Sequence, residues 1–202
     1  MANRSGGKQP EVRPTDAGGY RDAWAELEQL WPQTIKRARA LPPTMLHERV
    51  NGEWSFIQTL RHLLFVTDSW ASRALLGDPA PYHPLGLPPT GMKNPAIPCD
   101  LEARPSLRQV LRLRDERLPI VSSVMAGLTD DDLERATVRV RGLGHPRTGT
   151  YQVSRCVRTL IVEERQHRRY AERDLSILEG SQGRAAGRVV VPGHLASTES
   201  RE

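Results

Sequence analysis

Cysteine is nearly missing from this chain. Cys99 and Cys156 are the only two, and neither stands in a CxxC or zinc-finger spacing, so thiolate-built zinc modules are excluded. Lysine is scarce too: Lys8, Lys36 and Lys93 are the only ones, and the net charge of +5 rests almost wholly on arginine. Acidic residues interleave with those arginines, leaving no basic block to track a phosphate backbone, so no nucleic-acid partner is expected. No apolar run approaches the roughly 18 residues a membrane span needs, and residues 1–19 lack a hydrophobic signal core. A soluble, cytoplasmic protein without a membrane partner is the expectation. The chain also lacks GxGxxG, P-loop, GxSxG and HExxH patterns, which argues against nucleotide binding and the common hydrolase classes. There is no internal repeat, and aromatics make up only 5% of residues, four of them tryptophan.

What is present is helical. The 202 residues, 38% of them hydrophobic, suffice for one core. Residues 1–18 are rich in Gly, Pro and charge and are expected to form a disordered leader. A first helix is read at about 20–40, with Trp24, Leu27, Leu30, Trp31 and Ile35 on one side, kinked or split at Pro32 and stopped by Pro42 and Pro43. Ser55 and Gln58 form a capping box that opens a second helix to about residue 76. Its main stripe is Phe56, Leu60, Leu63 and Leu64. His62 lies about 200° around from Leu60, so periodicity points it at the surface or a cleft and not at the core.

The proline-rich stretch from Asp78 to Pro105 reads as a long ordered loop over one end of the domain, with His83 making a loop hydrogen bond. A second capping box, Ser106 with Gln109, starts a third helix to about residue 127, and Thr129 to Asp132 caps a short turn holding Leu133. Residues 137–149 read as a brief extended excursion, not a sheet strand. Together these elements predict an all-α four-helix bundle over 19–180, with a long Pro-rich crossover between helices 2 and 3 and a tail at 181–202.

The last helix, 151–179, carries the chemistry. Val153, Val157, Leu160, Ala171, Leu175 and Leu178 build one apolar stripe, and Glu164 and His167 interrupt it midway, with Glu163 beside them. Cys156 falls near that stripe and is expected to be a buried, reduced thiol. A carboxylate three or four residues before a histidine projects to the same side of a helix, the arrangement that helix bundles use to hold a metal. The same residues read equally as a solvated face, since Glu164 and Arg168 are an ordinary i, i+4 pair.

Three segments in order resemble the DinB-like (DNA-damage-inducible, YfiT-like) superfamily over roughly residues 20–180. They are Trp54-Ser-Phe-Ile-Gln-Thr-Leu-Arg-His62-Leu, the loop Pro81-Tyr-His-Pro-Leu-Gly-Leu-Pro88, which is similar to an actinobacterial branch, and Glu163-Glu-Arg-Gln-His167-Arg-Arg-Tyr-Ala-Glu-Arg-Asp-Leu175. The resemblance implies a bundle carrying a divalent metal such as zinc, nickel or iron. It implies one histidine ligand on the second helix and two, four residues apart, on the last. His62 matches the first and His167 the second of the pair; the remaining position is Glu163, which offers a carboxylate at the same helical spacing. Glu164 and Tyr170 follow as residues able to orient those ligands, and Arg61 and Arg168 as receivers of anionic parts of a substrate.

The resemblance also implies thiol S-transferase chemistry with mycothiol or bacillithiol, so a small-molecule thiol or electrophile is the expected partner. Two further readings stay open: a non-catalytic bundle acting as a binding or dimerisation module, and a hydrolase using metal-bound water. Trp24 or Trp31 could serve a homodimer contact, although nothing in the sequence requires one.

Overall fold

The computed structural model describes residues 13–187, with side chains to residue 184. Four long helices form the bundle. Helix α1 (Ala17–Arg39) is capped by Asp16, whose carboxylate accepts from Gly19 N. It runs unbroken through Pro32, so the residues expected to split it do not. Helix α2 (Phe56–Thr67) opens on the Ser55–Gln58 capping box and continues, without a break, into a π-helical run at Asp68–Leu75. Helix α3 (Leu107–Gly127) opens on the Ser106–Gln109 box and passes through Pro119. A short α4 (Asp130–Glu134) on the Thr129–Asp132 box leads to α5 (Val153–Gly187). Among the described residues there is no strand. Two isolated antiparallel bridges, Ala136 to Gln152 and Val140 to Gly149, close the 137–149 excursion.

The expected boundaries shift at both ends. Helix α1 begins inside the expected leader, and α5 continues past Gly180 to Gly187. Residues 1–12 and the Val-Val-Val-Pro patch at 189–192 lie outside the described residues.

Helices α1 and α2 each pack on both α3 and α5, so α1 and α2 face each other diagonally. The core falls into two apolar clusters. One gathers Trp24, Leu27, Phe65, Trp70, Met125, Cys156, Val157, Leu160 and Ile161; the other gathers Phe56, Leu60, Leu63, Val110, Ala171, Leu175 and Leu178. On α5 the apolar residues stop at Ile161 and resume at Ala171. Between them stands a polar layer of Glu163, Glu164, His167 and Arg168, which divides the core. Burial of each such Leu or Phe stabilises the fold by about 1.5–3 kcal/mol. The polar layer must recover its desolvation through internal partners.

The crossover covers α2. Arg61, 1% exposed, donates from Nε to Leu85 O (2.8 Å) and from Nη1 to Ala103 O (2.8 Å), and its Nη2 donates to Asp100 O. Leu87 N returns a bond to Arg61 O, and Tyr82 stacks on Phe65 at 6.1 Å. The loop therefore lies along the outward flank of α2 and not only over one end. That is why every residue of α2 but Gln58 is buried, His62 among them.

Arg73, fully buried on the π-helical run, ties both irregular segments together. It donates to Pro79 O (2.6 Å) in the crossover and to Gly142 O (2.7 Å) and Pro146 O (3.2 Å) in the 137–149 excursion. Gly144 comes so close that a Cβ there would sit 2.8 Å from the Arg73 guanidinium and 2.7 Å from the Tyr82 hydroxyl. Neither neighbour can withdraw without breaking its bonds. Gly144→Ala is expected to destabilise the protein by about 1–3 kcal/mol, measured by denaturant unfolding. An unchanged midpoint would refute the packing described.

Asp68, 1% exposed at the start of the π-helical run, accepts from Arg117 Nε (2.9 Å) and from His83 N (3.3 Å). Those donors favour the carboxylate, but burial outweighs them and pushes its pKa up from 3.8 to about 6. The folded state thus holds this proton more tightly than the unfolded chain. Its contribution to stability is complete below pH 3.8 and is lost as pH rises towards about 6. Asp68→Asn is expected to flatten that part of the stability–pH curve, read from thermal midpoints across the window.

Candidate metal centre

Helices α2 and α5 bring His62, Glu163 and His167 together. Glu163 Oε2 lies 3.4 Å from His62 Nε2 and 3.1 Å from His167 Nε2, and one donor atom from each of the three residues falls within 4.8 Å of the others. Two donors of a tetrahedral ion, each about 2.1 Å from it, stand about 3.4 Å apart. The spacing therefore fits a divalent metal. The donor set, two imidazole nitrogens and one carboxylate oxygen, suits zinc, nickel or iron.

The surrounding groups prepare these donors. His62 Nδ1 lies 2.9 Å from the backbone oxygen of Leu87 in the crossover. With an Nδ1 proton donated there, His62 would offer Nε2 to an ion in place of its contact with Glu163. Hydrogen bonds from His167 first, then from His62, hold the Glu163 carboxyl down at about 2 against the opposing effect of burial. It is ionised at neutral pH. Trp54 packs over both rings, 4.6 Å from His62 and 5.8 Å from His167, and closes one side of the cluster. His167 and Trp54 also border a cavity of about 400 Å³ whose wall includes Arg49, Glu53, Thr90 and Tyr170. Of the three donor residues, His167 lines that cavity.

The other sequence-predicted residues divide. Tyr170 stands edge-on to His167 at 5.8 Å, with its hydroxyl accepting from Gln166 Nε2 at 2.5 Å. Glu164 does not join the cluster. Consecutive helix residues point about 100° apart, and Glu164 turns to the other side of α5. There Arg114 Nη2 donates to both of its carboxylate oxygens (3.0 and 3.1 Å), with both residues buried. Arg61 spends its donors on loop carbonyls, and Arg168 bonds Thr34 Oγ1 and faces Glu172, so neither lines the cavity. Two groups that contact the histidines and were not singled out in the sequence are Trp54 and the Leu87 carbonyl. Trp54 already opened the first resembling segment; a backbone oxygen 25 residues from its histidine leaves no sequence signal.

A family model described as the DinB superfamily matches residues 26–171. The chain belongs to the DinB superfamily. The α2 and α5 members of the cluster in this DinB-superfamily chain lie inside the matched span, as does the crossover segment that meets His62. No curated protein and no solved structure matches the chain. Among the described residues, no helix is long and apolar enough to cross a membrane. Cys156 is wholly buried, its thiol pushed up to about 12, and Cys99 is half-buried with a raised pKa; both are free.

Proposed function

We propose that this chain holds a divalent metal ion on His62, Glu163 and His167 and acts as an enzyme that joins a low-molecular-weight thiol to an electrophile. The observation that carries the reading is the convergence of three donors, one of which, His167, borders an open cavity. An ion bound there supplies Lewis acidity, which lowers the pKa of a thiol presented to it. The chain's own residues do the rest. Leu87 O orients His62, Trp54 shields the imidazoles from water on one side, and the cavity beside Tyr170 and Thr90 receives the reactants. In the overall reaction a sulfur–carbon bond forms, the bond to the leaving group breaks, and the thiol proton departs with that group. The thiol itself is suggested by the family resemblance.

Elemental analysis of the untagged protein is expected to find about one equivalent of zinc, nickel or iron. With that ion, mycothiol or bacillithiol should react faster with monochlorobimane, and His167→Ala should abolish both results. No bound ion after incubation with these metals would overturn the reading. A bound ion without acceleration would overturn the transferase half and leave a metal-binding module.

A further inference from the structure

Across the bundle from the histidines, α1 and α3 leave a cavity of about 290 Å³ between them. Its wall is mostly apolar, with Leu27, Ile35, Leu111 and Leu118, but two buried polar side chains line it as well. Arg114, 4% exposed, uses Nη2 alone to straddle the Glu164 carboxylate, and its Nη1 has no hydrogen-bond partner. Trp31, 8% exposed, has no partner for Nε1, whereas nearby Trp24 donates to Ser122 Oγ at 3.0 Å. The Arg114 guanidinium lies 5.2 Å above the Trp31 ring, so the two unpaired donors belong to one stacked unit. Buried donors without acceptors are costly and uncommon, and here two of them belong to residues that line one concavity.

We propose that this cavity is a second ligand site, separate from the histidine cluster, for a small neutral molecule with an apolar, ring-sized body and one carbonyl oxygen. The oxygen accepts from Arg114 Nη1 and Trp31 Nε1, and the apolar body lies along Leu111 and Leu118. Neutrality follows from the charges present. Glu164 already balances Arg114, and the two carboxylates in the wall, Glu28 and Asp115, outnumber its one other cation, Arg39, which disfavours an anion. The size suits a single ring, since small-molecule pockets begin at about 300 Å³.

N-methylbenzamide is a suitable probe, with toluene as the ring lacking an acceptor. For a probe of about ten non-hydrogen atoms, a dissociation constant on the order of 1 mM is expected. In nitrogen-15-labelled protein the Trp31 indole N–H resonance should move saturably with N-methylbenzamide. Calorimetry should find it bound about tenfold more tightly than toluene. Trp31→Phe should remove most of that difference while toluene still binds. Leu111→Trp, which fills the cavity and leaves the ion pair intact, should abolish binding of both, and His167→Ala should change neither. The proposal is overturned if the indole resonance does not move, as when one trapped water satisfies both donors. It is equally overturned if amide and toluene bind alike, or if binding persists in Leu111→Trp. None of these outcomes depends on whether the histidine cluster holds a metal.

Discussion

Glu163→Gln is expected to lower the affinity for a divalent ion by about 100-fold or more, equivalent to about 2.7 kcal/mol, with helical content unchanged. Glu163 stands between the two histidines and contacts both; it also brings the cluster's only negative charge. Glutamine keeps the shape but offers a neutral oxygen. Glu163→His, by contrast, should retain about one ion, because residues four apart share a helix face and His167 already stands at that spacing. Titrating the metal-free protein with zinc against a chromophoric chelator measures both. Equal affinity in the wild type and Glu163→Gln would remove Glu163 from the ligand set, and with it the proposed site.

The second large effect lies on the opposite side of α5. Arg114→Met strands the Glu164 carboxylate, which is 2% exposed and accepts from Arg114 at both oxygens. Breaking a buried pair from one side costs about 3–5 kcal/mol. At about 2–4 °C per kcal/mol for a chain of this size, the thermal midpoint should fall by about 10 °C. Adding Glu164→Leu should recover most of the loss, since removing both charges eliminates the stranded one. Zinc affinity in the double variant should match the wild type, because Glu163 and His167 face α2 and not α3. If Arg114→Met melts within a degree or two of the wild type, the pair is not the buried anchor described. If the double variant loses the metal, the two sides of α5 are not independent.

Much of this architecture was legible in the chain. The boxes at Ser55–Gln58 and Ser106–Gln109 form as read, and the cap read at Thr129 forms as a box with Asp132, because a cap joins residues three apart and needs nothing distant. The polar break in the α5 stripe was visible for the same reason: helical periodicity is a local property, and it alone places Glu163 and His167 on one face. Pro32 does not split α1, and buried Trp31 and Thr34 stand on either side of it in one continuous helix.

Three features depended on contacts far apart in sequence. His62 reads as peripheral on the periodicity of α2, and it is buried because the crossover folds back over that flank and meets it with the Leu87 carbonyl. Helical spacing alone admits Glu163 and Glu164, and the resemblance pointed to Glu163; His62 on α2 and Arg114 on α3 set Glu163 against the histidines and Glu164 in an ion pair. The cavity with its unpaired Arg114 and Trp31 donors arises from how closely α1 and α3 approach. Caps and stripes are set by neighbours within a turn of helix, and so the residues alone determine them. Burial, partner choice and empty space are set by surfaces that meet only when the chain has closed.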